Sequence, residues 1–477
     1  MRNCFHPAKA AALLVYLLSV CGFGSVSARG AMENDVIVTA APAYAPLAAL
    51  HGGERFPKGA QLLLVHDGNA QPLITGFYAA ADANVSFDCQ RVLFAGKKTA
   101  RDAWQIWEMS LNDRSLRLLI AGDGDAIRPF YLPYGRLVYA RHIGKTFRME
   151  AAGRDGSTAV APIDAQAGAT IQPLSYVPGS TIPSDVLLDG RILFEADFPL
   201  GSGTTPELYT VYSDGSGVES YRCDHGRPRW GGRQLASGDV VFTHGGSLAR
   251  FTSPLAHEAP VSAPRGDYAG GIAETRSGAW LVSTRAASTA TYSLKLWEQN
   301  SSSIAQSRAF IPVLAVSGEN LADPVIVAPR VRPKRHPSGL HDWSYANMMA
   351  LDARISRDGD LKAAPAQVRL ETLDAEGRVL KLGTAPVESD GSFLVRTPAD
   401  QPIRFALLDS DGAVVRQEHG WFWIRRGEQR YCVGCHAGPE RSPDNHVPAV
   451  LLRTTVPVDL TGTKASEDAK PAAMKGN

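Results

Sequence analysis

Cys432-Val433-Gly434-Cys435-His436 places two thiols three positions apart with an imidazole directly after the second. That is the attachment pattern of a c-type haem. The thiols add to the two porphyrin vinyl groups, so their spacing along a tight turn must match the vinyl separation. The histidine then falls beneath the iron and supplies an axial nitrogen. With 6 Cys and 12 His in 477 residues, chance produces the pattern in about two such chains per thousand. C-x-x-C can instead be a redox dithiol or half of a zinc site. The chain has no second C-x-x-C, no H-x-x-H and no βαβ pattern around the pair. One covalent haem c on Cys432, Cys435 and His436 is the expectation.

The far side of the iron decides what such a haem does. A second strong ligand saturates the iron for electron shuttling, whereas an open position binds small molecules. His446, ten residues past His436, is a candidate ligand, or a solvated histidine in a polar loop. His419 is a weaker candidate, and no methionine lies between Met349 and Met474. Cys223-Asp224-His225 forms a second group, able to hold zinc or to face the haem. It reads equally as a buried free thiol, or as one half of a bridge to Cys89. Trp421, Phe422 and Trp423 would wall the porphyrin or fill a structural core. Arg425, Arg426 and Arg430, with Arg335 and His336, are candidate partners for haem propionates, or ordinary surface cations. No acid–base pair or nucleophile triad is legible, which argues against a hydrolase.

Haem of this kind is attached outside the cytoplasm, so an export leader should precede it. Residues 1–28 supply one. Arg2 and Lys9 precede an apolar run from Ala10 to Val20, and Val26-Ser27-Ala28 offers a cleavage site. The run is too short for a stable span. Val20 before Cys21 is not the small residue a lipoprotein box requires. A periplasmic or secreted protein without a membrane span is expected. The formal net charge of +1, from 49 basic and 48 acidic residues, argues against nucleic acid as a partner. Cleavage would leave Cys89, Cys223, Cys432 and Cys435, too few for a disulfide scaffold.

The elements that must carry the motif read as β structure throughout. From 53 to 310 a short β run, a loop, a second run with Trp or Tyr and a polar turn recur. One example is Arg191-Ile192-Leu193-Phe194, then Leu208-Tyr209-Thr210-Val211, then Asp214-Gly215-Ser216-Gly217. Repetition at about 40–50 residues is the period of propeller blades, here about six. A sandwich array shares the alternation. Residues 324–342, rich in Pro and Arg, form a linker. Residues 343–419 return to alternation with Asp-Gly turns, a small β-sandwich. Residues 420–460 form the haem segment, hanging from the last sandwich strand, and 461–477 a disordered tail. The fold class is all-β: a propeller followed by a small sandwich bearing a c-type haem.

Several stretches resemble known families. Asp189-Gly190-Arg191-Ile192-Leu193-Phe194 and Ser213-Asp214-Gly215-Ser216-Gly217 resemble blades of TolB-type propellers. Arg335-His336-Pro337-Ser338-Gly339, Gly383-Thr384-Ala385-Pro386-Val387, Asp390-Gly391-Ser392-Phe393 and Gly420-Trp421-Phe422-Trp423 resemble the middle domain of the hydrazine synthase alpha subunit. The resemblance implies a propeller followed by a domain with one c-type haem, and a propeller cysteine near haem and zinc. It also implies an iron-binding tyrosine four positions past the motif histidine, which itself helps hold zinc. Glu440 stands at that position, so His436 on the iron is the expectation. Three functions remain open: a redox carrier whose propeller provides docking or ligand recognition, a haem oxidoreductase acting on a small nitrogen or oxygen species, and a binding scaffold with a structural or sensory haem.

Overall fold

A computed structural model describes residues 35–153, 170–201, 203–222, 228–299, 309–356, 359–434 and 445–462. Among these, eight four-stranded sheets account for nearly all regular structure. Six follow one another along residues 36–326 as antiparallel blades of a propeller. Their strands are apolar on both faces, as in Val92-Leu93-Phe94-Ala95 and Leu137-Val138-Tyr139-Ala140, because each blade packs between two others. The first blade is made from both ends of the ring. Its innermost strand, Asn320–Ile326, pairs with Val36–Ala41, which pairs with Gln61–His66. The propeller therefore extends beyond the expected 53–310 on both sides, and Pro324 belongs to its closing strand rather than to the linker. Closure of this kind removes the exposed edges that an open array would leave.

Every innermost strand breaks register once against its neighbour, at a bulge facing the axis. In five of the six the bulge carries a residue of positive φ: Asp82, Arg128, Gly231, Gly270 and Asp323. A bulge turns one side chain or amide off the sheet face. Here those groups converge on the axis. Arg55 bonds Asp82 and lies 2.6 Å from Asp323. Arg128 lies 3.4 Å from Asp323 and 3.5 Å from Glu195, and its amide donates to Asp82 at 3.0 Å. The Gly231 amide donates to Glu195 and the Gly271 amide to Asp323. One ion network thus joins all six blades. Burial alone would raise the Asp323 carboxyl, but Arg55, Arg128 and Arg233 hold it well below the usual carboxylate range.

The remaining two sheets form a sandwich. Val379–Pro386, Gln367–Leu373, Ile403–Leu408 and Val414–Gln417 make one layer. The other runs Gln429–Cys432, Tyr345–Ala350, Phe393–Pro398, Val458–Asp459. Val368, Leu370, Phe393, Val395 and Phe405 fill the space between. Residues 420–460 do not hang from the sandwich. They supply two of its strands, both joined in parallel, and the helix Ala449–Arg453. No described helix is long and apolar enough to cross a membrane.

Candidate functional site

Cys432 is the last residue of the strand Gln429–Cys432, in parallel register with Ala350. The Leu351 amide donates to its carbonyl at 2.8 Å and the Asp352 amide to that of Val433 at 3.2 Å. Gly434 follows so closely against this corner that a Cβ would meet the Ile355 carbonyl oxygen at 2.7 Å. The glycine inside C-V-G-C-H is therefore a packing requirement at this position. The Cys432 thiol is half-buried, in no disulfide, and packs against the sandwich core. Burial pushes its pKa up, and the adjacent Arg430 guanidinium counters part of that rise. Cys435, His436 and Glu440 lie outside the described residues.

Arg430 arrives from the same strand, with its guanidinium 5.6 Å from the Phe422 ring centroid. It donates to the Val218 carbonyl and stands 3.9 Å from Glu428. Burial raises the Glu428 carboxyl pKa. Nη1 of Arg430 is buried and makes no hydrogen bond. An unsatisfied guanidinium nitrogen beside the motif thiol suits an anionic group such as a propionate. Around this corner Tyr431, Val447 and Leu452 expose apolar surface. On these observations the residues present fit a covalently attached haem.

His446 is brought to the same end of the sandwich. Its Nε2 is 3.4 Å from Asp390 Oδ2, and the neighbouring Gly391 packs on Asp352, which holds Val433. Asp390 also accepts from the Ser392 amide, the Ser392 hydroxyl and, at 2.7 Å, the Ala449 amide. Burial would raise its pKa, but these bonds outweigh it and hold the carboxyl down at about 2.

The other expected haem contacts are engaged elsewhere. Trp423 has no exposed surface and packs in a propeller cluster with Phe194 and Tyr209, its Nε1 donating to the Gly215 carbonyl at 2.8 Å. An indole enclosed by protein on every side cannot also wall a porphyrin, so that expectation is corrected. Trp421 is buried too, under the Arg404 guanidinium, and its amide donates to the Leu200 carbonyl. Arg425 binds the Asp214 carbonyl and Asp400, so residues 421–430 form the seam between propeller and sandwich. Arg426 is exposed and paired with Asp400 at 3.0 Å. Arg335 lies on the propeller, 5.6 Å from the Tyr134 ring centroid. Cys223, Asp224 and His225 lie outside the described residues. The chain reaches Arg222 only four residues past Val218, the carbonyl that Arg430 holds. Among the described residues no three His, Cys, Asp or Glu side chains form a metal-binding group.

A six-bladed propeller clasped to a sandwich whose strand Gln429–Cys432 ends on the first cysteine of the motif defines the class of molecule. Residues 369–437 match the family described as hydrazine synthase alpha subunit middle domain, so a domain of that family lies within this chain. The solved structure of Kuenenia stuttgartiensis Hydrazine Synthase shares the fold at a TM-score of 0.73 and 17% identity, over 88% of this chain and 71% of that one. TolB from Acinetobacter baumannii aligns at a TM-score of 0.43 and 13% identity, over 63% of this chain and 67% of that one. No curated protein matches the chain by sequence.

Proposed function

We propose that this chain is an exported protein with one covalent c-type haem, on Cys432, Cys435 and His436, that carries electrons to or from a partner docked on the propeller. The observation that carries the reading is the motif corner. It combines a thiol free of any disulfide, a glycine required by close packing, and a buried guanidinium with an unfilled donor. A bound haem supplies a one-electron couple at its iron. Around it, Arg430 would hold a propionate, and His446, oriented by Asp390, would be available to the iron as a ligand. Cys223, Asp224 and His225, a short chain length from the Val218–Arg430 contact, are proposed as a zinc site or a further wall of the haem pocket.

The fold likeness to hydrazine synthase favours a second reading, a haem oxidoreductase acting on a small nitrogen or oxygen species at an open iron face. Optical spectra of the ferric and ferrous protein, with and without nitric oxide or carbon monoxide, separate the two. A low-spin spectrum indifferent to added ligand supports the carrier, and a high-spin spectrum that shifts on ligand addition overturns it. Replacing Cys435 with Ala should abolish covalent haem on a denaturing gel. Haem retained covalently at full yield would remove the basis of both readings.

A further inference from the structure

The network at the propeller axis is closed to one side by Tyr44 and Leu50, and opens on the other into a funnel of about 530 Å³. That volume lies within the about 300–1,000 Å³ typical of small-molecule sites. The linker forms one lip of the funnel. It crosses from the Arg330 amide on the Phe87 carbonyl to the Lys334 amide on the Leu188 carbonyl, and leaves the fifth and sixth blades uncovered.

Two arginines stand in this funnel in a setting unlike that of the axis beneath it. Arg233 lies 5.1 Å from the Phe130 ring centroid and, among the described residues, donates only to the Gly232 carbonyl, at 3.4 Å. Arg330 donates to Asn84 Oδ1 at 3.3 Å and to the Val85 carbonyl at 3.1 Å. Among the described residues neither has a carboxylate within 4.0 Å. The funnel's own acids are already engaged. Asp185 accepts the Val186 and Gln234 amides, each at 2.8 Å, and Glu274 accepts the Ala236 amide at 2.7 Å. Burial lowers the pKa of Arg233, with Arg128 adding to the effect and Asp185, Asp323 and Glu195 opposing it. Desolvation also lowers that of the exposed Arg330, where Asp185 opposes and Arg233 adds. Arginine does not answer such crowding by losing its proton. Among the described residues no carboxylate pairs directly with either guanidinium, so both keep N–H donors for a ligand in the funnel.

We propose that the propeller funnel binds a small organic carboxylate, its head between Arg233 and Arg330 and its apolar body against Phe130, Ile272 and Val325. A planar carboxylate matches the guanidinium fork, and those side chains provide an apolar wall. This goes beyond the docking role proposed for the propeller, and it does not depend on the haem.

The test is calorimetric titration of the full mature chain with hexanoate, hexanol and inorganic phosphate. Hexanoate should bind measurably, hexanol and phosphate at least about tenfold more weakly, because charge and apolar body both contribute. Arg233→Met and Arg330→Met, which keep the apolar stems, should each weaken hexanoate about tenfold or more, the scale of one charge-assisted bond lost. Arg330 comes from the exposed linker, so its variant keeps the test valid should Arg233→Met fail to fold. Absence of hexanoate binding, or binding unchanged in Arg330→Met, overturns the proposal. Phosphate binding as tightly as hexanoate overturns the assignment of an organic ligand. Covalent haem content, read on the same samples, separates failure here from failure of the haem reading.

Discussion

The propeller axis and the motif end of the sandwich both bury arginines, and they treat them differently. At the axis, Arg55 and Arg128 each meet two carboxylates, with main-chain groups from neighbouring blades joining in. At the motif end, Arg430 has Glu428 only at 3.9 Å from Nη1, which makes no hydrogen bond, beside Cys432. A completed network in a space with no room for a ligand holds six blades in register. An incomplete one next to a reactive side chain leaves bonding capacity for something that arrives later. The funnel arginines belong with the second kind, although they lie within one side chain of the first.

The comparison breaks if both sites respond alike to loss of a cation. Arg128→Met removes the positive charge between Asp323 and Glu195, leaving buried carboxylates under-compensated. Stability should fall by about 3–5 kcal/mol. Arg430→Met leaves Glu428 with the Gly217 and Arg425 amides it already accepts, the guanidinium being 3.9 Å away. Its cost should be about 1 kcal/mol. Denaturant midpoints of the two variants measure the difference, and equal losses would remove the distinction between a structural axis and a receptive corner.

A smaller effect tests whether the two regions behave as one body. Trp423→Phe keeps a ring among Phe194, Tyr176 and Tyr209 but leaves the Gly215 carbonyl without its donor. The expected loss is about 1–3 kcal/mol, felt at the seam rather than in either core. Calorimetry should show the sandwich transition moving away from the propeller transition. A single unfolding step at the wild-type temperature would mean that the Trp423 hydrogen bond contributes nothing to the seam.

What could be read ahead of the structure followed from how local each interaction is. Alternation and Asp-Gly turns act within a few residues, so the blades around Ile192–Phe198 and Thr205–Val211 and the turn at Gly215, with φ of 86°, were legible. Ring closure was not, because Val36 pairs with Ile326 and neither run differs in pattern from an ordinary strand. Trp423 was misread for the same reason, its hydrogen-bond partner lying 208 residues away. The axis does leave a trace in the sequence. Asp82, Arg128 and Asp323 are charges inside otherwise apolar strands, each in its blade's innermost strand. A charge that recurs at one point of a repeat marks a shared axis. The thiol pair and histidine of the motif were legible as chemistry, but the Arg430 and Asp390 side chains that flank them depend on packing between strands.

The smallest effect probes how His446 is held. The Asp390 carboxylate collects the Ser392 and Ala449 donors as well as His446, tying the start of the helix Ala449–Arg453 to the turn before Phe393–Pro398. Asp390→Asn replaces one acceptor oxygen by a donor, so one of these bonds is lost at a cost of about 1 kcal/mol. The pH dependence fixes the cause. The folded carboxyl sits at about 2, below its ordinary value of 3.8, so its contribution is complete above the ordinary value and is lost as pH falls towards 2. Urea titrations at pH 7, 5, 4 and 3 should show a constant gap between wild type and Asp390→Asn in the first two, narrowing in the last two. A gap that stays constant to pH 3 would mean that the ionised carboxylate is not what anchors the loop, and His446 would lose its positioning partner.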